Sequence, residues 1–278
     1  ASGFIEAAGI VWHVQQMGAG PVELLVHGTG AATHSWRELA PLLSRHFNVI
    51  APDLPGHGFT GMPAAHRMSL RGMSHSVSDL LRALRVRPAI VVGHSAGAAI
   101  LARMCVDETL SPRSLIALNG ALLALRGVQG HLFAPMARVL ASSSLVPRLF
   151  AWRARDPAAV QRLIAGTGSR LQPGGIACYE RLVRNAGHVE AALTMMANWD
   201  LHGLERDLPR LRTPLLTVWA SGDRTLPRSQ PAALRRLLPR SRAMELEGLG
   251  HLAHEEQPRR VAELIVQEAR ASGALPAG

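Results

Sequence analysis

Short, mostly apolar runs separated by glycine, proline and polar clusters set the rhythm of this chain. Residues 22–26, 48–51, 89–92, 115–118 and 214–219 are such runs, of the length and density expected for strands buried on both faces. Segments 36–43, 68–84, 98–106, 230–238 and 261–271 instead repeat apolar residues every three or four positions, which predicts helices packed by one face. Residues 4–15 read as two short antiparallel strands with Gly9 near their turn, and 243–247 as a last strand. Strand and helix alternate, which predicts an α/β fold with a mostly parallel eight-stranded sheet flanked by helices. From 120 to about 204 the pattern changes to helical segments punctuated by glycine and proline, with no good strand. We expect a helical cap at 120–204, inserted into a core made of 1–119 and 205–278.

The candidate chemistry begins where the 89–92 strand gives way to the 98–106 helix, in the run VVGHSAGAAI at 91–100. Ser95 lies on the bend between two glycines. Close strand-to-helix packing alone would select Gly, Ser and Ala here, so a plain tight turn is the competing reading. The order strand, Gly93-His94-Ser95-Ala96-Gly97, helix matches the nucleophile elbow, G-x-S-x-G, of the α/β-hydrolases. A serine hydroxyl is a weak nucleophile at neutral pH and needs a histidine to take its proton and an acid to orient that histidine. In the elbow family the chain order is serine, acid, histidine. Asp223 follows the 214–219 strand in WASGDRTLP, and His251 follows the last strand in GLGHLAHEEQP, so both fall in the required order.

His254 competes with His251 for the role of base, and Asp200 and Asp207 are rival acids that follow no predicted strand. Asn119 closes the preceding strand, but an amide cannot stabilise an imidazolium as a carboxylate does. For the oxyanion hole, the backbone N–H of Ala96 would supply one donor and that of Thr29, in His27-Gly28-Thr29-Gly30, the other. The same glycines, followed by Asp53 at the end of the next strand, also resemble half of a dinucleotide fingerprint. Thr33 stands where that motif wants a small residue, so the match is incomplete. Gly28 and His94 beside the serine, and Phe133, Met136, Trp152, Met196 and Trp199 in the cap, are the candidate substrate contacts.

The chain as a whole resembles the α/β-hydrolase superfamily, from the His27-Gly28 turn through PDLPGHG to GHLAHEEQP, with serine where the dehalogenase and epoxide-hydrolase branches carry aspartate. A narrower resemblance rests on HGTGAATHSW, PDLPGHGFT and GHSAGAAILARMC, with LVPRLFAWRA, GTGSR and MMANWDL in the cap. These are similar to the magnesium-chelatase accessory proteins of bacteriochlorophyll biosynthesis. That resemblance implies an association with magnesium insertion into protoporphyrin, and with it a tetrapyrrole ligand and transient contact with magnesium chelatase. It does not imply a substrate for the hydrolase site.

Composition narrows the partners. The formal net charge is +10, carried by 30 arginines and no lysine. Residues 121–200 hold nine arginines against Asp156, Glu180, Glu190 and Asp200, a local excess of +5 that suits an anionic small molecule or an anionic membrane surface. A solvated arginine face is the bland alternative. Aromatic residues make up only 4% and no nucleic-acid module is visible, so nucleic acid is not expected. Cys105 and Cys178 are read as free thiols, and neither has metal-ligand spacing, so we expect no metal and no cofactor. With neither a signal pattern nor an apolar stretch of membrane-spanning length, a cytoplasmic protein that can associate with membranes is expected. The chain opens at Ala1, so native residues before it are expected to be missing. Two function classes follow: a serine hydrolase acting on an acyl bond of a hydrophobic, anionic substrate, and a porphyrin-binding or chelatase-assisting protein whose turnover is incidental.

Overall fold

The structure is a computed structural model and describes residues 1–124, 145–153 and 156–276. Strands β1 (Ser2–Ala7), β2 (Ile10–Met17), β3 (Val22–Val26), β4 (Asn48–Pro52), β5 (Ile90–His94), β6 (Ser114–Leu118), β7 (Leu215–Ala220) and β8 (Arg242–Leu246) form one sheet in the order β1-β2-β4-β3-β5-β6-β7-β8. Pairing is antiparallel from β1 to β2 and from β2 to β4, and parallel elsewhere. The helices are α1 (Ala40–Leu43), α2 (Leu70–Leu84), α3 (Ala96–Val106), α4 (Leu145–Arg153), α5 (Pro157–Gly166), α6 (Pro173–Arg184), α7 (Ala186–Ala197), α8 (His202–Asp207), α9 (Gln230–Leu237), α10 (Ala253–Glu256) and α11 (Pro258–Ala271).

Alternate side chains of the buried strands feed two cores, one on each sheet face. Leu24, Val26, Ile50 and Val91 pack with α2 and α3, while Leu25, Val49, Ile90 and Val92 pack with α1 and α11. A third, smaller cluster joins Val160 of α5 and Tyr179 of α6 to Ala31 and Leu252 in the loops after β3 and β8. Arg103 of α3 is buried and donates to Asp107 and Asp207, each at 2.8 Å, which ties the helix after Ser95 to the end of α8.

The single helix expected at 36–43 is instead a 3-10 turn, Thr33–Trp36, followed by α1. Pro41 has no N–H to give and so is tolerated only in a first turn, which restarts the helix. The helix expected at 68–84 likewise starts later, at Leu70, where the Ser69 side chain accepts from Gly72 N at 3.2 Å as its N-cap. Helices α4 to α8 all lie between β6 and β7, with no strand among the described residues there. Among the described residues no helix is long and apolar enough to cross a membrane.

Candidate active site

Ser95 sits between β5 and α3 with φ 51° and ψ −117°, a conformation that costs a non-glycine residue roughly 1–3 kcal/mol. Its surroundings require the two glycines of the motif. A Cβ on Gly93 would lie 2.4 Å from Ala98 N, and one on Gly97 2.2 Å from Val26 O. Gly28 is constrained less tightly, since a Cβ there would come within 2.9 Å of Ser95 Cβ and 3.0 Å of His94 Nδ1. The bend therefore closes only with bare backbone on three sides.

His251 and Asp223 meet across the loops that follow β8 and β7. His251 Nδ1 donates to Asp223 Oδ2 at 2.7 Å, which leaves Nε2 as the ring's other edge. Asp223 Oδ1 accepts from the backbone N–H groups of Thr225 at 2.6 Å and Leu226 at 3.2 Å, so the carboxylate is held at both oxygens. Asn119 adds a clamp that the sequence reading missed. Its Nδ2 lies 3.1 Å from each of Asp223 Oδ2, Gly250 O and His251 O, and its own φ is 43°. Ser95 Oγ makes no hydrogen bond to His251 in this structure, and such contacts commonly tighten only once substrate is bound.

The two candidate oxyanion donors are oriented by the opposite ends of their peptide units. A trans peptide points its C=O and its N–H in opposite directions. The Gly28 carbonyl accepts from His27 Nδ1 at 2.8 Å and from Ala31 N at 3.2 Å, which turns the Thr29 N–H the other way. The Ser95 carbonyl accepts from Ala98 N at 3.2 Å and Ala121 N at 3.0 Å, which does the same for the Ala96 N–H. His27 is thereby a second missed residue. Its Nε2 accepts from Leu54 N at 2.9 Å, which fixes the tautomer, and burial pulls its pKa down so that the ring stays neutral.

The other sequence candidates separate cleanly. His254 is buried against Trp36 and His94, and burial, with His251 and His34 nearby, lowers its pKa to about 3. Neither of its ring nitrogens has a hydrogen-bond partner, Asp223 included. Asp200 pairs with exposed His202, and Asp207 with Arg103 and Arg206. Asp53, the would-be dinucleotide acid, is consumed in the loop by His13 Nδ1, Thr33 N and Phe59 N at 2.8, 2.6 and 3.0 Å. Burial alone would raise its pKa, but the His13 bond, nearby His27 and the two amides outweigh that and hold it at about 2.

His94, expected to touch substrate, is instead buried, and its Nε2 donates to His251 O at 3.0 Å beneath the histidine loop. Its pKa falls well below the usual value through burial, with His254 and His251 adding to it. Trp152, expected to touch substrate, is 58% exposed on α4. Met196 and Trp199 are half-buried, Trp199 against the core, and Phe133 and Met136 lie outside the described residues. The contacts that α7 makes on the site are different ones. Thr29 Oγ1 lies 3.4 Å from Met195 Sδ, His188 Nε2 donates to Gly30 O at 3.1 Å, and Gly58 N donates to His188 Nδ1 at 3.2 Å. Among the described residues no group of His, Cys, Asp and Glu could hold a metal ion.

The family described as alpha/beta hydrolase fold matches residues 21–258. The chain is 40% identical over 252 residues to the magnesium-chelatase 30 kDa subunit of Rhodobacter capsulatus, covering 88% of this chain and 86% of that one. It is 28% identical over 257 residues to the pyrrolizixenacetamide deacetylase of Xenorhabdus hominickii, covering 87% and 88%. An α/β hydrolase fold protein from Burkholderia ambifaria superposes with a TM-score of 0.79 over 96% of this chain and all of that one, at 23% identity, a likeness of fold.

Proposed function

The chain belongs to the α/β-hydrolase family, in the group of the 30 kDa magnesium-chelatase subunits, and on that premise we propose that it is a serine hydrolase acting on an ester or related acyl bond. One observation carries the reading: Ser95 stands on a strained elbow while His251, two loops away, is already bonded to Asp223 at 2.7 Å. His251 Nε2 takes the hydroxyl proton as Ser95 Oγ attacks the carbonyl carbon. The N–H groups of Thr29 and Ala96 receive the charge that develops on the carbonyl oxygen. Collapse of the tetrahedral species expels the alcohol, which takes its proton from His251, and leaves an acyl group on Ser95. Water then attacks that acyl group with His251 as base, releasing the acid and restoring the serine.

Residues 120–204 form, in this reading, a cap over the site. Its arginines and apolar side chains suit a flat, carboxylate-bearing ligand, and a tetrapyrrole ester in bacteriochlorophyll biosynthesis is the substrate class that fits both them and the relative's association with magnesium chelatase. The protein would work in the cytoplasm with transient contacts to the chelatase and to anionic membrane. A second reading, a porphyrin-binding assistant of the chelatase with incidental turnover, is favoured by the name of that same relative. Hydrolysis of nitrophenyl esters by wild type and Ser95→Ala, with and without protoporphyrin, separates the two. The hydrolase reading expects turnover that needs Ser95 and is inhibited by the porphyrin. Porphyrin binding without turnover above the Ser95→Ala background would select the second. In either case, binding should weaken as salt screens the arginines and weaken further when Arg148, Arg153 and Arg155, the last outside the described residues, become Gln.

A further inference from the structure

The run Gly-Thr-Gly-Ser-Arg at 166–170 leaves the end of α5 and lands on the two loops that carry the acid and the histidine. The Thr167 carbonyl accepts from Arg224 N at 3.1 Å and from His251 N at 3.3 Å, so one oxygen joins the residue after Asp223 to His251 itself. Ser169 is buried, and its Oγ accepts from Leu252 N at 2.8 Å. Glu256 completes the seam, accepting from Gly250 N at 2.8 Å and from Arg170 N at 3.1 Å.

The backbones also interlock at three glycines, one from each segment. A Cβ on Gly168, where φ is +85°, would lie 2.0 Å from Gly222 O. One on Gly250 would lie 2.3 Å from Gly168 C, and one on Gly222 2.7 Å from Leu249 O. Behind them Leu252 shares an apolar cluster with Val160 and Ile164 of α5 and Tyr179 of α6, so the turn is backed by packed helices.

We propose that the 166–170 turn is a strap that holds the Asp223 and His251 loops in register, with Gly168 and Ser169 as positioning residues. The proposal rests on the serine-hydrolase reading for its catalytic consequence, though not for its geometry. Two loops from different strands must present a carboxylate and an imidazole with a precision well under an ångström, since a misplacement of about 1 Å can cost about 100-fold in rate. The acid and histidine loops touch each other directly through Gly222 N and Leu249 O at 2.8 Å. The strap adds bonds to both from a third side.

The test reads the strap in two ways: the low-field proton resonance of the His251 Nδ1–H that bonds Asp223, identified by its loss in His251→Ala, and the rate at which a fluorophosphonate labels Ser95. Ser169→Ala and Gly168→Ala are expected to broaden or move the resonance, to slow labelling about tenfold, and to lower kcat on a nitrophenyl ester more than they change KM. Ser169→Thr keeps the hydroxyl and is expected to stay near wild type in all three. Folded Ser169→Ala and Gly168→Ala proteins with a wild-type resonance and wild-type labelling would overturn the strap. Should Gly168→Ala fail to fold, the contrast between Ser169→Ala and Ser169→Thr decides. If wild type itself is never labelled, the hydrolase reading falls, while the resonance in Ser169→Ala still supports the strap if it moves and overturns it if it does not.

Discussion

The loop positions of Ser95, Asp223 and His251, and with them the pairing of His251 with Asp223, were legible in the sequence because each follows a strand and is flanked by glycine or polar residues that suit a sharp turn. Asn119 was not. A sequence presents it as a poor substitute for an acid, whereas its work is to donate, and the three oxygens its two N–H groups share lie more than a hundred positions away. His27 was hidden for a similar reason, since it acts on the Gly28 carbonyl through a side-chain bond that no sequence pattern marks. Asn119→Ala removes the amide that faces both Asp223 and the histidine loop, and is expected to lower kcat/KM for ester hydrolysis about tenfold, as a hydrogen bond to a charged group is worth roughly 1.5–3 kcal/mol. Asn119→Asp sets a second carboxylate against Asp223 and is expected to be no better. An Asn119→Ala enzyme with wild-type kinetics would mean that Thr225 and Leu226 suffice to hold the acid.

The inner strands β3 to β7 were read closely because burial on both faces leaves continuous apolar runs, whereas the helix expected at 36–43 failed where Pro41 interrupts the backbone bonding. The region between β6 and β7 was legible only as helical. What it touches depends on packing between segments far apart in sequence, and helix α7 is one such contact with the site. His188 joins the Gly30 carbonyl, beside the candidate oxyanion donor, to Gly58 in the PDLPGHG loop, and Met195 meets the Thr29 hydroxyl. His188→Ala leaves both backbone groups without their partner and is expected to slow labelling of Ser95 about tenfold at a stability cost of roughly 1–3 kcal/mol. His188→Gln, able both to donate and to accept, should recover part of each. Labelling kinetics beside thermal unfolding separate the two effects, and unaltered labelling in a destabilised His188→Ala protein would reduce α7 to packing alone.

The whole molecule combines a basic surface with an interior rich in neutral histidine. His27, His34, His57, His94, His188 and His254 all have pKa values lowered first of all by burial, to about 3 for His34 and His254 and about 4 for His188. The unfolded chain takes up protons at these rings near 6.5 and the folded one only at lower pH, so their contribution is present above pH 6.5 and is lost as pH falls, toward about 4 for His188 and about 3 for His34 and His254. Glu23 works in the opposite direction. It is buried in β3 without a hydrogen-bond partner, and burial raises its pKa from 4.5 to about 8. The folded state therefore keeps a proton that the unfolded state releases, and stability falls as pH rises from 4.5 to about 8. Thermal unfolding followed across pH is expected to be steepest on the acid side, where each ring adds a slope of about 1.4 kcal/mol per pH unit. Glu23→Gln should raise the midpoint at pH 8 and leave it nearly unchanged at pH 4.5, and an equal gain at both would contradict the assigned protonation. None of this charge state could be read from the sequence, which gives the histidines but not their burial. The central claim, that His251 serves Ser95 as its base, is tested most directly by mass-spectrometric mapping of fluorophosphonate labelling over time. The account predicts a single adduct on the peptide that carries Ser95 and a rate reduced about 100- to 10,000-fold in His251→Ala. Absence of that adduct in folded wild type, or a labelling rate that survives His251→Ala, would contradict it.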